Sequence, residues 1–120
     1  MMPRDMDLIR DLMLRFERGD ISVPLGHTKV EVAYHVNQLV DEGYIKGTVI
    51  KGPLPGTGKS IPLAYIVDDI TWKGHDFIKA VRDDVLWHRV KEHFAKKVVP
   101  FTADLILTFV KSEGLKAIGM

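Results

Sequence analysis

Apolar residues spaced three and four positions apart predict an amphipathic helix over residues 5–18, because that spacing places them on one side of a helix. The apolar positions on this stripe are Ile9, Leu12, Met13 and Phe16, with Met6 one turn earlier. Asp5 stands where a side chain can cap the first turn, and Gly19 can adopt the left-handed conformation that ends a helix. Residues 20–27 are interrupted by proline and glycine, so they predict at most one helical turn or a short strand.

A second helix is predicted over residues 28–42, where Thr28 and Glu31 have the spacing of a capping box. In that arrangement the threonine hydroxyl accepts from a first-turn amide, and the glutamate carboxylate returns to the amide of the capping residue. Gly43 is placed to end the helix. The predicted buried stripe consists of Val32, Val36, Leu39 and Val40.

The next part of the chain predicts a β-hairpin with a long tip. Residues 44–50 and 61–67 are rich in β-branched and aromatic residues, which favour strands. Residues 52–60 between them are glycine, proline and small polar residues typical of turns. Pro62 cannot donate to a strand ladder, so it predicts a solvent-facing edge near the start of the second strand.

Helical spacing resumes near Thr71 and continues past the acidic pair at residues 83–84, which marks either a kink or the cap of a new helix. Trp72 is expected on the apolar face of the first of these helices. A last helix is predicted to begin at Thr102 and to end around Gly114. The other apolar positions expected to face inward are Phe77, Ile78, Val81, Leu86, Val90, Phe94, Leu105, Ile106, Phe109 and Val110.

This order of elements predicts an α+β, mostly helical fold: a winged helix-turn-helix with a β-hairpin wing and a C-terminal helical extension. The winged-helix part would span residues 1–82. The extension would span residues 83–120, and both would form a single structural domain. The helix that begins at Thr28 would then be the recognition helix of the motif.

Composition narrows the range of functions without identifying one. The chain has 120 residues, of which 46% are hydrophobic and 28% charged, a balance that indicates a folded, soluble domain. It has no cysteine, so it offers neither a disulfide nor a thiolate metal site. No apolar run could span a membrane, and the start lacks the layout of a signal peptide, so a cytoplasmic protein is predicted. Because the net charge is only +1, any binding to nucleic acid depends on local charge.

Two stretches resemble the winged-helix superfamily. Residues 28–45 resemble its recognition-helix signature, in which a leucine, polar residues and a glycine end the helix before the first wing strand. Residues 70–75 resemble the Leu-Thr-x-x-Gly pattern that leads from the second wing strand into the next helix. Gly74 would there allow the helix and the hairpin to approach closely.

Three motifs in register are similar to a phage and prophage family of uncharacterised proteins. They are the Arg-Asp-Met-Asp-Leu-Ile-Arg stretch at residues 4–10, Tyr34 with His35, and Thr-Trp-Lys-Gly-His-Asp-Phe at residues 71–77 followed by Arg-Asp-Asp. The resemblance covers nearly the whole chain. It implies a phage or bacterial setting and a winged-helix fold, and it transfers no catalytic residue.

The function predicted from this arrangement is binding of double-stranded DNA, as a phage- or prophage-derived transcriptional regulator. In a winged helix the N-terminal half of the recognition helix enters the major groove, and the wing follows the backbone or the minor groove. Amide side chains can contact adenine, and lysine can reach a phosphate or a guanine. The candidate DNA contacts are Lys29, Tyr34, Asn37 and Gln38 on the helix and Lys46, Lys51 and Lys59 in the hairpin. Ala33 is expected on the same exposed side of the helix, and no acidic residue lies between Tyr44 and Ser60.

A non-enzymatic interaction module of phage origin that binds a host protein is the alternative. The helix over residues 28–42 has one lysine against Glu31, Asp41 and Glu42, which leaves few cations to neutralise phosphates. The C-terminal apolar surface predicts either a homodimer interface through residues 84–112 or a lid that packs on the first helix. A dimer would double the number of cations facing DNA.

The hairpin tip imitates a phosphate-binding loop without meeting its requirements. Residues 58–60 read Gly-Lys-Ser, but the position at which the motif needs its first glycine is occupied by Pro53. The Lys-Ser pair must also open a helix, whereas a strand is predicted after it. Nucleotide hydrolysis is therefore not expected.

No arrangement of residues predicts enzyme chemistry. His88 and Glu92 share a helix face, and such a lone pair is typically a solvated surface pair rather than part of a metal site. Trp72 and Trp87 are predicted to be packing residues and not a platform for stacking bases. The sequence therefore predicts no catalytic residue, no cofactor and no metal.

Overall fold

Helices dominate the part of the chain that the computed structural model describes, residues 5–95 and 105–111. The elements are α1 (Met6–Glu17), α2 (Lys29–Asp41), β1 (Ile45–Leu54), β2 (Lys59–Ile70), α3 (Trp72–Val81) and α4 (Asp84–Ala95). Residues 105–111 are also helical and are called α5. Within these ranges the fold is α+β, with five helices and one antiparallel hairpin, as the sequence predicts. The chain divides into two compact units, Met1–His75 and Asp76–Met120.

The local signals of α1 are confirmed. The Asp5 carboxylate caps the helix by accepting from the amide of Leu8 at 3.1 Å. Gly19 follows the helix with φ of +78°, a conformation that only glycine adopts without strain. All five predicted apolar residues, Met6 included, are buried, and Leu8 joins them in the core.

Polar contacts hold the connector between α1 and α2, in which residues 20–27 form neither helix nor strand and only residues 25–26 form a turn. Asp20 accepts from the hydroxyl and the amide of Ser22, and these two bonds lower the pKa of its carboxyl. Arg15 also donates to Asp20 at 3.2 Å. The Tyr65 hydroxyl donates to the carbonyl of Ile21, so the connector lies beside β2. Burial first, and the charge of Asp20 second, raise the pKa of Tyr65.

The start of α2 confirms half of the predicted capping box. The Thr28 hydroxyl accepts from the amide of Glu31 at 3.1 Å. The Glu31 carboxylate, expected to return to the backbone, contacts Nδ1 of His27. The imidazole lies just before the helix and takes the place of the Thr28 amide as the partner of the Glu31 carboxylate.

The buried face of α2 is wider than predicted. Val32, Val36 and Leu39 are buried, and Val40 is half-buried. The expectation that Ala33 is exposed is wrong, since its side chain is fully buried. Position 33 lies three residues before Val36 and seven before Val40, so it falls on the same side of the helix.

The hairpin is longer and its tip shorter than the sequence predicts. Leu54 is paired with Lys59, so the turn comprises only residues 55–58 in place of the expected 52–60. The ladder accommodates the glycines and prolines through two register shifts, one of which lies beside the pairing of Lys51 with Pro62. A proline is tolerated at such a bulge because no ladder hydrogen bond is lost there.

The two faces of the hairpin have different environments. α2 packs against both strands, and Tyr44, Ile45 and Ile70 are buried at the base. On the opposite face Ile50 and Ile66 are more than half exposed. The hairpin therefore contributes one face to the core of the first unit and presents the other to solvent.

The second unit contains most of the remaining core. Its buried residues are Phe77, Ile78, Val81, Trp87, Val90 and Ile106. Asp83 caps α4 by accepting from the amide of Leu86 at 2.9 Å, so the acidic pair begins a new helix. Phe109 and Val110 are half-buried, whereas Leu105, expected to face inward, is 38% exposed. Thr102, Gly114, the side chain of Phe94 and part of the predicted interface at 84–112 lie outside the described residues.

Trp72 is the clearest departure from the predicted apolar face of α3. Its side chain is 90% exposed, so its prediction as a packing residue is wrong, while Trp87 is buried as predicted. At about 100° per residue, Trp72 stands on the side of α3 opposite Val81. It therefore falls outside the stripe that Phe77, Ile78 and Val81 define.

Candidate nucleic-acid interface

The outward side of α2 brings together three of the predicted DNA contacts. Asn37 and Gln38 lie three and four residues after Tyr34, and all three are half-buried. Lys29 is exposed at the first turn, but it stands about 140° around the helix from Tyr34. Asp41 continues the stripe at its C-terminal end. The helix thus offers an amide- and phenol-bearing face with a cation beside its start and an acid at its end.

His35 anchors α2 to the start of α1, which the sequence did not predict beyond a position bordering the core. Its side chain is fully buried. Nε2 accepts from the amide of Asp5 at 2.9 Å, and Nδ1 lies 2.8 Å from the carbonyl of Glu31. An amide can only donate, and a carbonyl can only accept, so the ring is neutral with its hydrogen on Nδ1. The signal in the sequence was its place among Val32, Val36 and Leu39.

The predicted hairpin lysines fall into two groups. Lys51 and Lys59 are exposed on the distal arm, here defined as residues 51–60. Lys59 is opposite Leu54, three residues beyond Lys51, which separates the two lysines by about 10 Å along the strand. Lys46 is exposed at the base of the hairpin, opposite Asp69. The structure therefore places Lys46 apart from the two distal lysines.

The C-terminal end of α2 is electronegative. Asp41 and Glu42 are exposed there, where the helix dipole is already negative. Lys73 donates to the carbonyl of Glu42 at 3.1 Å, and its ammonium lies 4.5 Å from the ring centre of Tyr44. Phosphate would be repelled from this end and attracted to the start of the helix.

The base of the hairpin also carries a pocket that the sequence did not predict. A surface pocket of about 430 Å³ is lined by Trp72, Lys46, Asp69 and His75, together with Ile70 and Thr71. Five of these residues lie within residues 69–75, but Lys46 comes from the other strand, so local spacing does not predict that it joins them. The one available signal was that Trp72 lies off the apolar stripe of its helix.

Two features of residues 5–95 and 105–111 bear on other classes of function. No group of three or more histidine or acidic side chains is arranged there to hold a metal ion. His88 and Glu92 form an exposed pair at 3.0 Å. In the same residues, no helix has both the length and the apolar composition needed to cross a membrane.

Comparison with known proteins supplies a family for this arrangement. The family described as "Hypothetical protein (DUF2513)" matches residues 3–100. A protein of Haemophilus influenzae with the name "Uncharacterized protein" is 27% identical over 113 residues, which cover 88% of this chain and 89% of that protein. No solved structure matches the chain. Because the family match extends over most of the sequence, the chain belongs to the DUF2513 family.

Proposed function

We propose that the chain is a non-enzymatic, winged-helix protein of phage or prophage origin that binds double-stranded DNA and regulates transcription. The observation that carries the proposal is the distal arm of the hairpin. Lys51 and Lys59 are exposed there, and no acidic residue lies between Tyr44 and Ser60. An exposed, cationic, two-stranded arm beside a capped helix is the arrangement with which a wing follows a DNA backbone.

In this proposal α2 enters the major groove through its first three turns. Lys29 and the positive end of the helix dipole face phosphates, while Asn37 and Gln38 can read base edges. Tyr34 would contact a phosphate or a sugar. Asp41 would remain outside the groove, because its carboxylate would otherwise meet the phosphate backbone.

The small number of cations sets a measurable limit on affinity. If Lys29, Lys51 and Lys59 each neutralise one phosphate, log Kd should change with log salt with a slope of about 2.7. A dimer that presents both copies to one duplex would double the slope to about 5.4. The slope therefore reports both the number of contacts and the number of chains on the DNA.

The test is fluorescence anisotropy of a labelled random duplex, titrated with the protein across a salt series. Lys51→Ala combined with Lys59→Ala should lower the slope by about 1.8 per chain and weaken binding equally for all sequences. Lys79→Ala combined with Lys111→Ala removes the same charge from exposed positions outside the hairpin and should leave the slope unchanged. Absence of salt-sensitive binding, or equal losses in both double variants, would contradict the proposal.

A further inference from the structure

Two neighbouring pockets share lining residues at the base of the hairpin. The pocket beside Trp72 shares Asp69, Ile70 and His75 with a second pocket of about 300 Å³. The second pocket continues to Ile21 in the connector. We call the residues that line either pocket, among them Ile21, Lys46, Asp68, Asp69 and Trp72, the basal groove. All of them belong to the first compact unit.

The backbone that carries Trp72 is fixed by hydrogen bonds of the residue before it. The Thr71 hydroxyl donates to the carbonyl of Gly43 at 2.6 Å and accepts from the amide of Gly74. The amide of Thr71 donates to the carbonyl of Tyr44, which fixes the start of α3 against the base of β1. An indole that is 90% exposed at the start of an ordered helix presents a large apolar surface to a ligand.

The groove is acidic beside this indole. Asp68 and Asp69 are exposed, and neither is ion-paired within the described part of the chain. Glu17 lines the far end, and Lys46 lies at the near end. Asp68 and Asp69 against one ammonium give the groove beside the indole a net negative charge, the opposite of the distal arm.

We propose that the basal groove binds a basic peptide segment of a protein partner. An arginine or lysine of the peptide stacks on the indole of Trp72 and pairs with Asp69, and an apolar residue packs against Ile21, which is 60% exposed. The carboxylates would repel the phosphates of a nucleic acid.

The probe is a fluorescein-labelled, capped pentapeptide, Gly-Arg-Leu-Arg-Gly, titrated with the full chain at physiological salt. We expect saturable binding with Kd below about 1 mM, and no saturation for the same peptide with glutamine in place of arginine. The unlabelled arginine peptide should also reduce quenching of protein fluorescence by acrylamide, because it covers Trp72 while Trp87 is already buried.

Three variants locate the binding site. Asp68→Asn combined with Asp69→Asn, and separately Trp72→Ala, should each weaken the arginine peptide at least tenfold. Asp7→Asn combined with Asp41→Asn makes the same change in net charge at exposed positions elsewhere and should change Kd less than twofold. All these side chains are exposed, so circular dichroism should show an unchanged fold.

Four outcomes would overturn the proposal. Equal weakening in both aspartate double variants would mean general attraction between opposite charges. Protection of Trp72 by duplex DNA in place of the peptide would assign the groove to nucleic acid. Protection that grows with protein concentration alone would assign it to a second copy of the chain. Failure of the arginine peptide to saturate would leave the groove without this ligand.

Discussion

Replacing His35 tests whether the buried imidazole joins the first two helices. The ring has no exposed surface, and its two nitrogens contact the amide of Asp5 and the carbonyl of Glu31. The amide of Asp5 belongs to the residue that caps α1, so His35 links the start of one helix to the middle of the next. His35→Ala removes both contacts and leaves a cavity, whereas His35→Gln keeps an acceptor within reach of Asp5.

The size of the effect follows from these contacts. A buried hydrogen bond contributes about 1 kcal/mol net, and an amide left without an acceptor costs about 1–3 kcal/mol. Truncation of a buried side chain adds a cavity cost, so His35→Ala should lower the free energy of unfolding by about 3 kcal/mol. His35→Gln should cost about half of that, because the bond to Asp5 can be re-formed.

Urea denaturation followed by circular dichroism measures both variants on one scale. Asn37→Ala, two residues along the same helix and half-buried, serves as the control and should stay within about 0.5 kcal/mol of the wild type. If His35→Ala also fell within that margin, or if glutamine cost as much as alanine, the hydrogen bond to Asp5 would not contribute to stability.

Three further predictions concern single side chains. Gly74→Ala should lower the unfolding free energy by about 2–4 kcal/mol in urea, because a Cβ there would collide with the backbone carbonyl of Tyr44. Because the pKa of Tyr65 is raised, the contribution of this tyrosine to stability is complete below pH 10.0, its ordinary pKa, and is lost as the pH rises through the folded-state pKa. Tyr65→Phe should abolish this alkaline loss of stability in thermal melts recorded over a pH series. Trp72→Ala should leave the unfolding free energy within about 0.5 kcal/mol, whereas Trp87→Ala should cost about 3–5 kcal/mol, and equal costs would mean that Trp72 is buried.

The helices could be predicted from the sequence because their signals are local. Asp5 and Gly19 lie next to the stripe that they delimit, and Thr28 lies three residues from the amide it caps. Each signal is complete within one or two turns of the chain. The same holds for Asp83, which caps α4 through an amide three residues away.

The length of the hairpin could not be predicted, because strand pairing depends on residues far apart in the chain. Gly52 and Pro53 have the composition of a turn, yet the ladder continues past them to Leu54. Two register shifts make this possible, and a bulge has no signature in a single strand. The tip therefore occupies only residues 55–58.

The two candidate sites also differ in how far they could be predicted from the sequence. Lys51 and Lys59 could be found from the sequence, because an acid-free cationic stretch is visible as composition. The basal groove could not, since Ile21, Lys46, Asp69 and Trp72 meet only after the hairpin has formed. A tryptophan in an amphipathic pattern is more often buried than exposed, which is why the exposure of Trp72 was missed.

The opposite charges at the two ends of the hairpin predict that DNA and peptide bind independently. Lys51 lies five residues from Lys46, the partner of Asp69, a separation of about 17 Å along the strand. This is about twice the Debye length at physiological salt, so phosphates on the distal arm should barely affect a cation in the basal groove. The Kd of the arginine peptide should therefore change less than about twofold when saturating duplex DNA is added, because coupling between two sites requires a difference in free energy that screened charges do not supply. A tenfold change in either direction would show that the two ligands share a surface. The separation of charge along the hairpin would then not explain how its two ends differ in binding.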